Sequence, residues 1–208
     1  MRKHVRIACL YTVVTAFVLG ILYPLLIAGI SSIAFHDKSN GELITENGAV
    51  VGSRLIGQSF TGLGVFHSRP SAAGTGYDGS ASSGSNLAPT SKALSDRVAA
   101  SVASEGNGTA IPIDLVTASA SGLDPDISPA AALYQVSRVA RERDLSEDVV
   151  RELVLEHVTP RQFGLLGEPR VNVFELNLDL LSHRNNANKN HVSVVRALPL
   201  KVLPAALP

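Results

Sequence analysis

Sulfur chemistry is almost missing from this 208-residue chain. Cys9 is the single cysteine, so no disulfide forms within one chain and no cysteine-built metal site exists. An excess of either charge is missing too. Eighteen Lys and Arg balance eighteen Asp and Glu, which leaves no basic footprint for nucleic acid. The six histidines (His4, His36, His67, His157, His183, His191) are scattered, and none has a neighbour at zinc-ligand spacing. Neither a G-x-S-x-G elbow nor a Gly-rich loop ending in Gly-Lys is present. The Ser80–Ser85 stretch has backbone N–H groups for a phosphate but lacks the lysine, so it reads as an ordinary loop. Asp124-Pro125-Asp126 lacks the further oxygen ligands of a calcium loop and reads as a turn. Glu168 and Glu175 read as surface carboxylates.

What the chain does have is a long apolar run. Residues Ile7 to Phe35 carry no charged side chain. About 20 such residues cross the ~30 Å of membrane hydrocarbon, so this run spans with tilt. Pro24 inside it is tolerated in a membrane helix, at the cost of a kink. A cleaved signal is the competing reading, because Ser32-Ile33-Ala34 offers small residues for cleavage. A signal's apolar region is only about 7–15 residues, which favours the anchor. A buried core helix would show a polar face. Arg2, Lys3 and Arg6 precede the run, so the positive-inside rule puts residues 1–6 in the cytoplasm and the chain after Phe35 outside.

Beyond the anchor the patterning is mixed. Val50-Val51 and Leu55-Ile56 suggest strand. Twelve of the residues from Ser71 to Ser85 are Gly, Ser or Ala, an ordered loop that Arg69, Tyr77 and Asn86 have the side chains to pin. A helix is expected from an N-cap at Thr90 to about Glu105, with Leu94, Val98 and Val102 as its stripe and Gly106-Asn107-Gly108 as its stop. Ile111, Ile113 and Leu115 alternate as a strand does. Ser128-Pro129 opens a helix to about Arg143 whose Ala132, Val136, Val139 and Ala140 face the core, and whose Arg138, Arg141 and Arg143 form a solvated face. Ser146 caps a second helix carrying Val150, Leu153, Val154 and Val158, paired with the first through a short turn. Phe174, Leu176, Leu178 and Leu180 alternate with polar residues and read as a strand, but Val171 and Val173 lie on the opposite parity, so either a bulge shifts the register or the segment is partly helical. The sum is an α+β class: a single N-terminal transmembrane helix (7–35) followed by one mixed α/β extracytoplasmic domain (36–181). Residues 182–208 form a tail with six Lys, Arg or His, no acid, and three prolines; a loosely docked extension is the expectation, lipid or partner binding the alternative.

Five strings occur in order behind the anchor: Gly52-Ser53-Arg54-Leu55-Ile56-Gly57-Gln58, Phe66-His67-Ser68-Arg69-Pro70-Ser71-Ala72, Ser83-Gly84-Ser85-Asn86-Leu87-Ala88-Pro89-Thr90, the run from Asp114 through Ser121-Gly122-Leu123-Asp124-Pro125 to Pro129, and Gly167-Glu168-Pro169-Arg170-Val171-Asn172-Val173. Together they resemble the C subunit of the Kdp potassium-transporting P-type ATPase, over residues from about 5 to 181. The chain departs from the family pattern at Ser83, Ala88 and Ala120, where glycine is usual, and at Asp126, where histidine is. The resemblance implies a non-catalytic accessory subunit in the bacterial inner membrane. Its implied partners are a channel-like potassium-binding subunit, an ATP-hydrolysing P-type subunit and a very small subunit. ATP and potassium are then handled by the complex, with no cofactor or metal assigned to this chain. The family is described as a catalytic chaperone that raises the pump's ATP affinity. An outer domain cannot touch cytoplasmic ATP, so that effect would be a coupling energy of about 1–3 kcal/mol sent through the assembly.

Within the strings, Gln58, Arg69, Asn86, Asp124 and Asn172 are the candidate contact groups, each with enough donors or acceptors to serve a partner or to fix its own loop. Two other readings stay open. A surface hydrolase would have to draw on Ser119, Ser121, His67 and Asp124. A nucleotide-binding domain facing the cytoplasm would need inverted topology.

Overall fold

The structure, a computed structural model, describes residues 1–46 and 48–187, with side chains as far as 182. It divides into two compact units, 1–43 and 44 onward. The expected tail lies outside the described residues from 188 on, and 182–187 continue the last helix.

The first unit is a helical rod. Among the described residues one stretch, Arg2–Ala34, is long and apolar enough to cross a membrane, and none of it is buried within the protein. It comprises α1 (Arg2–Phe17), a π-helical turn (Val18–Leu22) and α2 (Tyr23–Ala34); a short α3 (His36–Ser39) follows. The π turn has a cause in Pro24. Proline has no N–H for the carbonyl four residues back and its ring crowds that carbonyl, so the preceding turn widens. Small or slim residues recur every fourth position: Ala8, Thr12, Ala16, Gly20, Pro24, Ala28 and Ser32. At 3.6 residues per turn such a ladder drifts about 240° over its length. The residue inserted by the π turn takes back about 100°, which returns the ladder to one side of the rod. A Cβ on Gly20 or Gly29 would meet nothing within 4 Å.

The second unit starts with a hairpin of β1 (Leu43–Glu46) and β2 (Ala49–Ser53). The Ser53 hydroxyl accepts from the Leu55 N–H at 3.1 Å and turns the chain out of the strand. Leu55-Ile56 is therefore a turn, against expectation. An ordered irregular stretch leads to α4 (Lys92–Glu105), capped at Ser91 rather than Thr90, with no residue fully buried. A 3-10 turn (Ile113–Leu115) stands where a strand was expected. The reason lies in Asp114, whose carboxylate accepts from the Ser128 N–H at 2.7 Å and so fixes the start of α5 (Pro129–Arg143). Ser128 caps α5 by accepting from the Ala131 N–H, and Ser146 caps α6 (Glu147–Glu156) in the same way. Asp144 between them takes the left-handed conformation at φ 56°. A small antiparallel sheet has the order β3 (Asp126–Ile127), β5 (Arg170–Asn172), β4 (Val158–Thr159), with Ile127 and Val158 both opposite Val171.

The last element, α7 (Val173–Ala187), is a helix where a strand was expected. Val173, Leu176, Asn177 and Leu180 are buried at helical spacing, beside Phe174. Asn177 breaks the apolar pattern of that face and leaves the accidental alternation of Leu and polar residues legible instead.

The core joins α5, α6 and α7 to the sheet and to Phe66, which is fully buried in an irregular segment. Its backbone has no strand to pair with, and buried amides must be paired. Two side-chain amides supply the partners. Asn177 accepts from the Phe66 N–H at 2.8 Å and donates to its carbonyl at 2.9 Å. Gln135 accepts from the His67 N–H at 2.7 Å and donates to its carbonyl at 3.2 Å. Both are 1% exposed. Asn177→Ala therefore strands a buried donor and acceptor, and its measured unfolding free energy is expected to fall by about 2–4 kcal/mol, against about 1 or less for Asp179→Ala, which loses an ion pair with His157 at 3.1 Å.

Candidate functional site

The sequence-selected segments converge on a polar loop cluster. Gly57 lies against 123–124: its N–H donates to the Leu123 carbonyl at 2.8 Å, and a Cβ there would sit 2.5 Å from the Asp124 carbonyl oxygen. Ser71 is the central pin. Its hydroxyl donates to the Gly122 carbonyl at 2.6 Å and accepts from the N–H groups of Ala73 and Tyr77. Gly122 has φ +67°, and a Cβ on it would fall 2.6 Å from Ala73 N and Ser83 O, so glycine is required. Ser83 N–H and the Ser82 hydroxyl both donate to the Ser121 carbonyl. The Tyr77 hydroxyl donates to the Arg69 carbonyl, and burial pushes its pKa up to about 12, against the lowering effect of Ser68.

Three ion pairs line this cluster. Arg69 meets Asp124 at 3.1 Å, Arg170 meets Asp126 at 2.9 Å, and Arg54 meets Glu175 at 2.6 Å. Asp124 also accepts from the Asp126 N–H, which makes the expected turn. Asn172 donates to the Arg54 carbonyl and accepts from the Glu175 N–H. Burial raises the Asp126 carboxyl, with Asp124 and Glu175 adding to it, while Arg170 and Asn172 oppose. Each acid has an arginine, so the cluster presents paired rather than free charge. Gln58 lies beneath Gly52, where a Cβ would be 2.2 Å from its Nε2. Gln58 Oε1 and Arg69 Nε are buried without a hydrogen-bond partner among the described residues.

Of the five candidates, Gln58, Arg69, Asp124 and Asn172 thus share one continuous cluster. Asn86 does not join them: it is exposed, at φ 51°, with no side-chain hydrogen bond among the described residues. The Ser80 N–H and hydroxyl serve Asp78, and the Ser82 hydroxyl and Ser83 N–H serve the Ser121 carbonyl, so these groups bond within the loops although Ser80 and Ser82 are exposed. Three of the four residues of the hydrolase reading have other partners, and the fourth, Ser119, is buried. His67 holds Glu105 and the Gly62 carbonyl, Asp124 holds Arg69, Ser121 accepts from Leu123 N–H, and Ser119 is 6% exposed. No group of three or more metal-ligating side chains occurs among the described residues.

Sequence reasoning missed the supports. Arg138 and Arg143 were expected on a solvated face, but only Arg141 is fully exposed. Arg138 donates to the carbonyls of Leu63 and Val65 and to Gln135, and Arg143 to the Gly64 carbonyl. Burial lowers the Arg138 pKa, with Glu105 and Glu142 opposing. His67 Nδ1 lies 2.8 Å from Glu105 Oε1, and Nε2 lies 3.1 Å from the Gly62 carbonyl. For Glu105, burial acts to raise the carboxyl, but the hydrogen bond and charge of His67 with the charge of Arg138 outweigh it and hold the carboxyl below its ordinary value. A signal existed for one support: Gln135 sits inside the apolar stripe of α5, where a polar residue asks for a buried partner.

The fold and this site define a class: a protein with one N-terminal helix long and apolar enough to span a membrane, followed by a mixed α/β domain whose polar loops are internally braced. Residues 5–182 match the family model described as the c chain of the K+-transporting ATPase. The potassium-transporting ATPase KdpC subunit of Koribacter versatilis is 57% identical over 183 residues, covering 86% of this chain and 95% of that protein. The subunit of the same name from Acidobacterium capsulatum is 58% identical over 179 residues, covering 86% and 97%. The chain belongs to the KdpC family, the c chain of the K+-transporting ATPase, and is an accessory subunit of a transport complex.

The two perturbed acids give opposite pH signatures. A depressed carboxyl stabilises above its unfolded value of about 4.3, and the gain is lost as pH falls through the folded value. Glu105→Gln is expected to cost about 1–3 kcal/mol at pH 7, with the difference closing in acid. A raised carboxyl stabilises below its unfolded value of about 3.9, and that gain is lost as pH rises through the folded value. Asp126→Asn is therefore expected to leave stability at pH 7 unchanged or higher. Denaturant titrations from pH 3 to 8 check both.

Proposed function

We propose that the chain acts without chemistry of its own, assembling and stabilising the potassium-transporting ATPase from the outer face of the bacterial inner membrane. Residues 1–6 lie in the cytoplasm, 7–35 cross the membrane, and the domain from 36 to 181 is extracytoplasmic. Its partners are the channel-like potassium-binding subunit, the ATP-hydrolysing subunit and the small subunit. The observation that carries this reading is the family match over 5–182. The N-terminal Arg2, Lys3 and Arg6 support the orientation. The ladder of small residues from Ala8 to Ser32 supports docking of the rod, because small residues let helix backbones approach closely in lipid.

The internal bracing of Gln58, Arg69, Asp124 and Asn172 favours loop-fixing roles for them: they shape the surface that partners meet. Any rise in ATP affinity is transmitted through the assembly, as a coupling of about 1–3 kcal/mol. Two measurements test the reading. A cysteine at exposed Ser80, with Cys9→Ala, is expected to react with a membrane-impermeant thiol reagent in intact cells. Labelling only after inside-out conversion would place the domain with ATP and make direct contact the better account. Deleting residues 1–35 is expected to remove the chain from the purified complex; an intact complex retaining the truncated chain would show that the rod is not its means of assembly.

A further inference from the structure

The β4–β5 hairpin carries a projecting arm. Beyond the pairs Val158–Val171 and Thr159–Arg170, the chain runs through residues 160–169 and closes a second time. A bridge joins Gln162 and Leu166, and Arg161 pairs with Glu168 at 2.6 Å. Gly164 and Gly167 sit at φ 74°, where glycine is at ease, and Phe163 sits at φ 54°, where an aromatic residue is rare. The arm is thus braced at its base and ends in three apolar side chains: Phe163 is 86% exposed, Leu165 81% and Leu166 60%. These contrast with the buried Val171 a few residues on. Contiguous exposed apolar groups rimmed by charge mark interaction sites.

We infer that this arm is a docking element, and that Phe163, Leu165 and Leu166 insert into an apolar recess on another subunit of the transport ATPase. The inference rests on the accessory-subunit reading above and names the contact. Three observations choose the occupant. The family is a subunit family, so a partner protein exists. The apolar groups sit together on a short exposed hairpin loop, a segment suited to filling a recess. Glu168, 77% exposed at the base, opposes a lipid surface, because insertion of the tip would draw a carboxylate toward hydrocarbon. A polar rim around the recess can instead meet the Arg161–Glu168 pair, in the usual anatomy of an apolar centre with a charged edge. The arm falls within the family-matched residues, 5–182, whereas the basic tail beyond 182 does not.

The test uses the full chain co-expressed with the other subunits. A benzophenone amino acid is placed at position 163 and irradiated in membranes. The expected product is a covalent adduct with one of the other subunits, absent when that subunit is omitted. In parallel, the double variant Phe163→Ser, Leu165→Ser is expected to lower recovery of the chain with the complex at least about 10-fold, the scale of losing interface anchors. Its thermal unfolding should match wild type, since nothing buried is changed. Adducts with lipid only, adducts with the chain's own tail or a second copy, or no adduct with undiminished recovery of the double variant would each overturn the inference. Wild-type chain that fails to co-purify with the transport subunits would sink the accessory-subunit reading and this inference together. Co-purification without a subunit adduct at 163 sinks the inference alone.

Discussion

Phe66 is fully buried in a segment with no regular structure, and the domain depends on how its backbone is satisfied. A strand would pair with a neighbour. Here Asn177 from α7 and Gln135 from α5 each imitate one rung of a ladder, accepting from an N–H and donating to the carbonyl of the same residue. The irregular loop is thereby sewn between two helices. Arg138 extends the seam by donating to Gln135 and to the carbonyls of Leu63 and Val65. Because Gln135 serves both the loop and Arg138, these bonds form a connected network whose parts gain from one another.

The seam reaches the rest of the domain through His67. Its backbone is held by Gln135 while its ring holds Glu105 at the end of α4. α4 has no fully buried residue, so little apolar burial fixes it. It is tied by polar contacts instead: Glu105 to His67, the Glu105 carbonyl to the Tyr134 hydroxyl, and Arg97 to the Ser71 carbonyl. Ser71 in turn pins Gly122 and Tyr77. The polar cluster and the core are therefore one mechanical system, in which loops that carry the family strings are positioned by buried amides and arginines.

How far this was legible in the residues depends on what each element uses for its burial. The rod, α5 and α6 declare themselves, because uninterrupted apolarity and clean capping by Ser128 and Ser146 are local signals. α7 was misread because its buried face includes Asn177, a residue whose partner lies 111 positions away. Ile111 to Leu115 alternates as a strand does, yet Asp114 is committed to capping a distant helix start and no strand lies beside it. The same holds at the site. Arg69, Asp124, Asn172 and Gln58 were found through their strings, whereas Arg138 and Arg143 looked like surface charge because the carbonyls that receive them belong to a segment far off in sequence.

A subunit of this build can act on its partners through differences in binding. With acids and arginines already matched, the polar cluster gives a partner no strong unpaired charge to neutralise, and forming a salt bridge across an interface would first break one here. Among the exposed apolar surfaces are the faces of the rod and the tip of the Phe163 arm. A coupling of 1–3 kcal/mol between sites requires that such contacts differ by that amount between two states of the assembly. Truncating a single well-packed aromatic anchor commonly costs 2 kcal/mol or more. On energetic grounds, a single apolar contact that differs between two states of an assembly is enough for a braced domain to bias a distant site.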